Sequence, residues 1–270
     1  MSVRCTVPVV IAFLAAVLAG CTAGKELSLD TAQDRFRYGM ELYKSENYLE
    51  AVKQFEIIRL QFPGSAIADS AQFYSGMSRF KREEYQLAVF DFQLMIRNQP
   101  DSPLAPDAYY MIAKCYVMLS PPVDLDQNFT LKALDALQTF MELYPSHEKV
   151  AEARQDYSRL YRKLALKEFK TGVLYRKLGY YRAALVYFNT VIDRYYSTDL
   201  VDDAMVEKIE ILVEKKRYAE ARTAIREFMR KYPDSPLLSR VESAKEIVDR
   251  SLGHSTLVGE AKQNERNDDD

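Results

Sequence analysis

The sequence predicts an all-α chain, a right-handed solenoid of five helix pairs closed by a C-terminal capping helix. Three observations carry this. The chain matches itself at an offset of 37 residues. Within each copy apolar residues recur at three- and four-residue steps, the helical period. Only nine glycines occur in 270 residues, which with the long helical patterns argues against an α/β enzyme.

At that offset Gly39, Ala51, Phe55 and Pro63 return as Gly76, Ala88, Phe92 and Pro100. The third copy is Ala113, Ala133, Leu137 and Pro145, with eight extra residues around "SPPVDLDQ". Gly172, Ala184, Phe188 and Tyr196 form the fourth, and Ala221, Ile225 and Pro233 belong to the fifth. In "FRYGMELYKSENYLEAVKQFEIIRLQFP" the stretch Ser45-Glu46-Asn47 punctuates the middle and Pro63 the end. Small residues at the first two positions let paired helices approach, and the aromatic fills the space between them. This spacing resembles the tetratricopeptide repeat (TPR), whose period is about 34 residues.

The additional residues lie between repeats, in "GSAIADSA", "DSPLAPDA", "STDLVDDA" and "DSPLLSRV". A Ser or Thr there reads as an N-cap, and Pro103 and Pro236 read as first helical residues. Helix pairs are expected at about 31–63, 66–99, 105–145, 147–196 and 199–232, with a closing helix near 236–251. They divide into repeats one to three (31–145) and repeats four and five with the cap (146–251). The first helix of the fourth pair runs without Pro or Gly up to Gly172, several turns too long. Residues 252–270 lack apolar periodicity and end in acids, the pattern of a disordered tail.

At the N-terminus Arg4 precedes Val7 to Leu18, an uncharged run too short for the ~20 residues of a membrane span. A basic start, a short apolar core and small residues describe a secretory signal. It ends on Leu18-Ala19-Gly20-Cys21, which resembles the bacterial lipoprotein signal. In that family the chain is cut before the cysteine, whose sulfur takes diacylglycerol and whose freed amine is acylated. The other reading is an ordinary signal, with Cys21 a free thiol. A single lipid chain binds reversibly, whereas two or three hold a protein at the membrane. Thr22, rather than Asp, resembles the outer-membrane sorting rule of Gram-negative lipoproteins. Residues 1–20 are thus read as a signal and 21–30 as a flexible linker. No cofactor is expected beyond the diacylglycerol and N-acyl chain on Cys21.

Cys5 leaves with the signal, so Cys115 remains, in the apolar run "YYMIAKCYVML", read as a small buried hydrophobe. No intrachain disulfide is then available, although the compartment permits one. Losing Arg4 leaves 36 Lys and Arg against 39 Asp and Glu, mixed along the chain. No basic stripe suits nucleic acid. His147 and His254 lack partners at metal-ligand spacing. "GHSTL" misses the last glycine of a nucleophile elbow and follows no strand. Glu83-Glu84 and Asp202-Asp203 sit at turns or helix starts, where acids solvate or complement the helix dipole. The chain reads as a non-enzyme.

A TPR solenoid offers a concave face built mainly from first helices. The positions three before, one after and four after the small residue are Phe36, Met40 and Tyr43, then Phe73, Met77 and Phe80, then Tyr110, Lys114 and Val117. Lys44 and Lys81 follow in step. The stripe suits an extended apolar segment, with lysines for a terminal carboxylate. The competing reading is helix-packing core, and the exposure of Phe73 and Phe80 discriminates.

Taken together, these features resemble the BamD family of outer-membrane assembly lipoproteins. The likeness rests on Cys21, the five repeats, the insert in the third, and "LALKEFKTGVLYRKLGYYRAALVYFNTVIDRYY" (164–196). Tyr196 departs from the family, which often has proline there. The resemblance implies a periplasm-facing protein held at the outer membrane by its lipids. It would receive unfolded outer-membrane proteins through its N-terminal repeats. Its C-terminal repeats would dock on the periplasmic POTRA region of the barrel protein BamA, beside other assembly lipoproteins and without nucleic acid. Rival readings are a pilot lipoprotein for a secretin pore and a TPR adaptor for cell-envelope enzymes.

Overall fold

The computed structural model describes residues 29–267, with side chains described as far as Gly253. The expected signal at residues 1–20, the expected lipid site Cys21 and most of the expected linker at 21–30 lie outside the described residues. Those described form eleven helices and no strand. They pair as α1 (Ala32–Lys44) with α2 (Tyr48–Gln61), α3 (Ala68–Lys81) with α4 (Tyr85–Asn98), and α5 (Ala105–Leu119) with α6 (Asn128–Leu143). Then come α7 (Val150–Lys177) with α8 (Tyr181–Arg194), α9 (Val201–Glu214) with α10 (Tyr218–Lys231), and closing α11 (Leu238–Asn267). Each helix packs on its predecessor and successor, and α11 covers both α9 and α10. This is a TPR-like helical solenoid.

Volume matching inside each pair sets the approach of its helices. A methyl on Gly39 would lie 2.6 Å from the Phe55 ring; on Gly76, 2.8 Å from Phe92; on Gly172, 2.8 Å from Phe188. Only hydrogen fits. Repeat three uses Ala113 with the smaller Leu137, and repeat five places Ile209 and Ile225 at the same positions. In those two repeats the aromatic moves one turn along the second helix, to Phe140 and Phe228. The other copies carry Ile58, Met95 and Val191 there. All of these second-helix side chains are buried. Burying one such ring contributes about 1.5–3 kcal/mol.

The turns between paired helices also repeat. Glu46, Glu83 and Lys216 take positive φ of 62°, 62° and 56°, and Gly179 takes 78° at the corresponding place. Glycine enters that region freely, whereas the other three are held there by the helices on either side.

Between repeats the junction serines do not cap helices as expected. Ser102 Oγ donates to Asp69 Oδ2 at 2.6 Å and accepts from the Leu104 amide at 3.2 Å. Ser235 does the same with Asp202 (2.9 Å) and Leu237 (3.2 Å). The serines therefore organise a lead-in turn, and Pro103 and Pro236 stand in it, ahead of helices that begin at Ala105 and Leu238. After repeat three His147 takes over: its Nδ1 accepts from the Lys149 amide at 3.2 Å, and its Nε2 lies 3.6 Å from Asp107. Thr31 alone makes a side-chain N-cap bond among the described helices with assigned caps, accepting from the Asp34 amide.

The long α7 and the insert of repeat three are one feature. Lys163 donates to Ser120 Oγ at 2.5 Å and Pro121 O at 2.9 Å, Lys167 donates to Leu125 O, and Lys170 pairs with Asp124 at 2.6 Å. Spaced along one helix face, these lysines hold the 120–125 loop. One sequence expectation differs at the C-terminus. The helix α11 continues to Asn267, where an unstructured tail from residue 252 was expected. Lack of apolar periodicity removes a packing face, not helix propensity, and Leu252, Glu260, Ala261, Lys262 and Gln263 all favour helix.

Gly76→Ala should destabilise the protein by about 1–3 kcal/mol, because the methyl meets a ring in a packed core. Adding Phe92→Leu, which copies repeat three, should make the pair cost less than the sum of the singles. Urea unfolding of the double-mutant cycle checks this, and strict additivity would contradict the volume match.

Candidate functional site

The first-helix stripe divides once its packing is seen. Residues one turn before the small position share its face, so they meet the second-helix ring. Phe36 lies 5.8 Å from Phe55, Phe73 5.5 Å from Phe92, and Tyr110 5.4 Å from Phe140. Phe73 and Tyr110 are 8% and 6% exposed, so both belong to the core and not to a groove. Phe36 is half-buried against Phe55 and Tyr74. Val117 is also buried.

What stays accessible is narrower. Met40, Tyr43, Met77 and Phe80 are partly buried, and Lys44 and Lys81 are exposed. Tyr43 sits 5.5 Å from both Tyr48 and Tyr74, and Phe80 5.3 Å from Tyr85. Tyr74 belongs to α3, so part of this stripe joins one first helix to the next.

From repeat three onward ions do the joining. Lys114 Nζ lies 2.9 Å from Glu152 and 2.9 Å from Asp156. Arg176 of α7 pairs with Glu207 and Glu210 of α9, and Arg240 of α11 reaches the same two acids. Burial opposes the charge on Asp156, but hydrogen bonds from Arg159 and Lys114 outweigh it and hold its carboxyl below the usual range. Such a contribution is present above the ordinary carboxylate pKa and is lost as pH falls through the lowered one. Between first helices the contacts thus change from aromatic in repeats one and two to ion-paired beyond them, while Arg79 of α3 pairs with Glu56 of α2 and Asp91 of α4.

A second surface went unread in the sequence. The α7–α8 and α9–α10 turns enclose an open cleft of about 760 Å³. Tyr175, Tyr180, Tyr181 and Leu185 form its walls. Tyr175 is fixed by stacking on Tyr187, 5.3 Å away with 10° between the planes. The charged residues lining it are Arg182, Lys215 and Arg217, all cationic. Lys215 Nζ stands 3.5 Å from the Tyr181 ring centroid, a cation–π contact. The available signal was the turn Leu178-Gly179-Tyr180. Its counterparts are Ser45-Glu46-Asn47, Arg82-Glu83-Glu84 and Lys215-Lys216-Arg217, all polar. Leu178 and Tyr180 are 58% and 62% exposed.

Cys115 is fully buried, and desolvation pushes its thiol up to about 12, so it behaves as the small hydrophobe expected. Among the described residues no cluster of His, Cys, Asp and Glu could hold a metal ion. No described helix is long and apolar enough to cross a membrane.

Comparison with known proteins agrees with the repeats. Residues 203–235 match a tetratricopeptide repeat family. The outer membrane protein assembly factor BamD of Rickettsia prowazekii is 26% identical over 221 residues, 81% of this chain and 88% of that protein. BamD of Caulobacter vibrioides is 34% identical over 103 residues, spanning 38% of this chain and about a third (34%) of that protein's length. Among solved structures, YrrB, a TPR protein with an unusual peptide-binding site, is 19% identical with a TM-score of 0.38, covering 87% of this chain and 98% of its own. A thermophilic TPR protein of Thermus thermophilus, TTC0263, is 17% identical with a TM-score of 0.35, covering 79% and 98%. Both superpositions are too loose to carry a functional argument. Residues 29–214, four whole repeats and the first helix of the fifth, match the family described as YfiO, outer membrane lipoprotein. The chain therefore belongs to this family of outer membrane lipoproteins, the BamD family that its sequence resembles.

Proposed function

We propose that this chain is a non-enzymatic scaffold in the assembly of outer-membrane β-barrel proteins. It is anchored through lipids on Cys21 and faces the periplasm. One observation supports the reading: Leu18-Ala19-Gly20-Cys21, which resembles the end of a lipoprotein signal, precedes repeats that match the family of outer membrane lipoproteins to which the BamD assembly factors are similar. TPRs alone are generic binding scaffolds and fix no function. Repeats one and two receive unfolded clients on Met40, Tyr43, Met77 and Phe80, with Lys44 and Lys81 beside them. Thioether and aromatic side chains at partial exposure adapt to varied apolar sequences. The C-terminal repeats dock on the POTRA region of a BamA-like barrel protein.

Full-length protein extracted from its native membrane in mild detergent should co-purify with a BamA-like barrel protein. Recovery of a secretin or of cell-wall enzymes in its place would overturn the reading. Cys21→Ala should move the chain from the membrane to the soluble fraction after cell lysis, and continued membrane retention would contradict lipid anchoring. Phe80→Ser combined with Lys81→Glu should weaken binding of a urea-unfolded barrel protein about tenfold, the scale of one lost apolar contact plus a charge. Circular dichroism should show unchanged helicity, and unchanged affinity would exclude this surface.

A further inference from the structure

We propose that the acidic end of this chain, residues 260–270, folds back at Gly253 onto Arg222, Arg226 and Arg230 of α10. There it closes the open end of the solenoid.

Only the last repeat leaves this face uncovered. The residue after the small position of each second helix is Val52, Val89, Leu134 and Leu185 in repeats one to four, and all four are buried. In repeat five it is Arg222, which is exposed, as are Arg226 and Arg230 one and two turns on. The face turns toward the following repeat: one turn after Val52, Glu56 pairs with Arg79 of α3. Beyond repeat five only α11 follows, a first helix without a described partner. An open cleft of about 740 Å³ remains, with Arg222 and Arg226 of α10 on one wall and Asp249 and Leu252 of α11 on the other.

The charge of this face exceeds what a solvated end requires. A terminal repeat needs a polar outer face, but like charges one turn apart on a helix repel. Arg222 and Arg226 form no ion pair among the described residues. The acids nearby are already taken, Glu227 by Lys231 and Asp249 by Lys245, both at 2.7 Å. The chain carries the opposite charge after Gly259, with Glu260, Glu265, Asp268, Asp269 and Asp270 against Lys262 and Arg266.

The repeat register brings the two together. Leu252-Gly253-His254 stands 37 residues after Lys215-Lys216-Arg217, the turn of repeat five. It places glycine where Glu46, Glu83, Gly179 and Lys216 take positive φ. Glycine enters that region freely, so the chain reverses here as it does in the helix-pair turns of repeats one, two, four and five. Reversal runs the end of the chain beside α10 at the same offset of 37. Glu260 then falls within one residue of the level of Arg222, Asp268 within one of Arg230, and Glu265 between Arg226 and Arg230. The core positions of Ile225 and Phe228 correspond to Lys262 and Glu265. No apolar core forms there, and charge holds the segment. The straight α11 described above is the open form. Residues 254–267, with Gly259 among them, are of a length at which an isolated helix is marginal in water.

The test uses full-length protein in detergent with spin labels on Asp234→Cys and Asn267→Cys. Both sites lie at the same end of the folded-back form, within about 20 Å for helices packed 8–10 Å apart. Along a straight α11 they stand about 40 Å apart, at 1.5 Å per residue. Double electron–electron resonance at low salt should show the short distance. Arg222→Glu with Arg226→Glu should abolish it, and so should ~1 M salt, which screens exposed charges beyond about 3 Å. Gly253→Ala, whose methyl meets nothing within 4 Å, should shift the population toward the long distance. The long distance alone, or a short one indifferent to salt and to the arginine reversals, would overturn the proposal. Loss of the short distance on dilution with unlabelled chain would assign the contact to a second copy and overturn it equally.

Discussion

The contact on which the rest depends is that between one second-helix side chain and one small residue of the first helix. Phe55, Phe92 and Phe188 touch their first helices where a methyl would already be within 3 Å of the ring. That closeness sets the interhelical distance of a pair, and the distance sets how the next pair stacks. The repeats vary the solution without abandoning it. Where Ala113 or Ile209 replaces glycine, the ring withdraws to Phe140 or Phe228, one turn on, and an aliphatic side chain, Leu137 or Ile225, faces the larger residue. Cores tolerate such exchanges when the apolar pattern is kept and the side chains repack.

Because so few positions hold a pair together, the others are free to vary, and how they vary carries the functional information. First helices of repeats one and two are joined partly by rings at Tyr43 and Tyr74. Beyond repeat three the joining falls to Lys114, Arg176 and Arg240 with their acids. The contacts between successive first helices therefore change in chemistry along the solenoid, although an ion pair, Arg79 with Glu56, also joins repeats one and two. Nearest-neighbour contacts carry the stability of such a repeat protein, so a partner on one half need not disturb the other.

Much of the fold was legible in the sequence, for a physical reason. Apolar period, turn and small–aromatic spacing are local, and each recurs, so the repeats test one another. The stripe was only half legible. Phe73 and Tyr110 looked identical to groove residues in spacing, because a residue one turn before the small position lies on the same helix face and meets the same ring. The junction serines were recognised, but not that Ser102 and Ser235 bond back to Asp69 and Asp202. The over-long α7 and the insert "SPPVDLDQ" read as separate oddities, since a lysine-to-loop clamp joins residues more than forty apart in sequence. The tyrosine-walled cleft was visible only as the apolar turn "LGY", and its meaning depends on cations from the next repeat.

The central claim is that exposed apolar side chains which the packing of a helix pair does not use, Tyr180 among them, mark where partners bind. Site-specific photo-crosslinking in living cells tests it most directly, with the reactive residue placed in turn at Tyr180 and at Glu242, an exposed position on α11 outside the cleft. The account predicts a strong protein adduct from position 180 and little from position 242. Equal adducts at both positions, or none at 180, would contradict it.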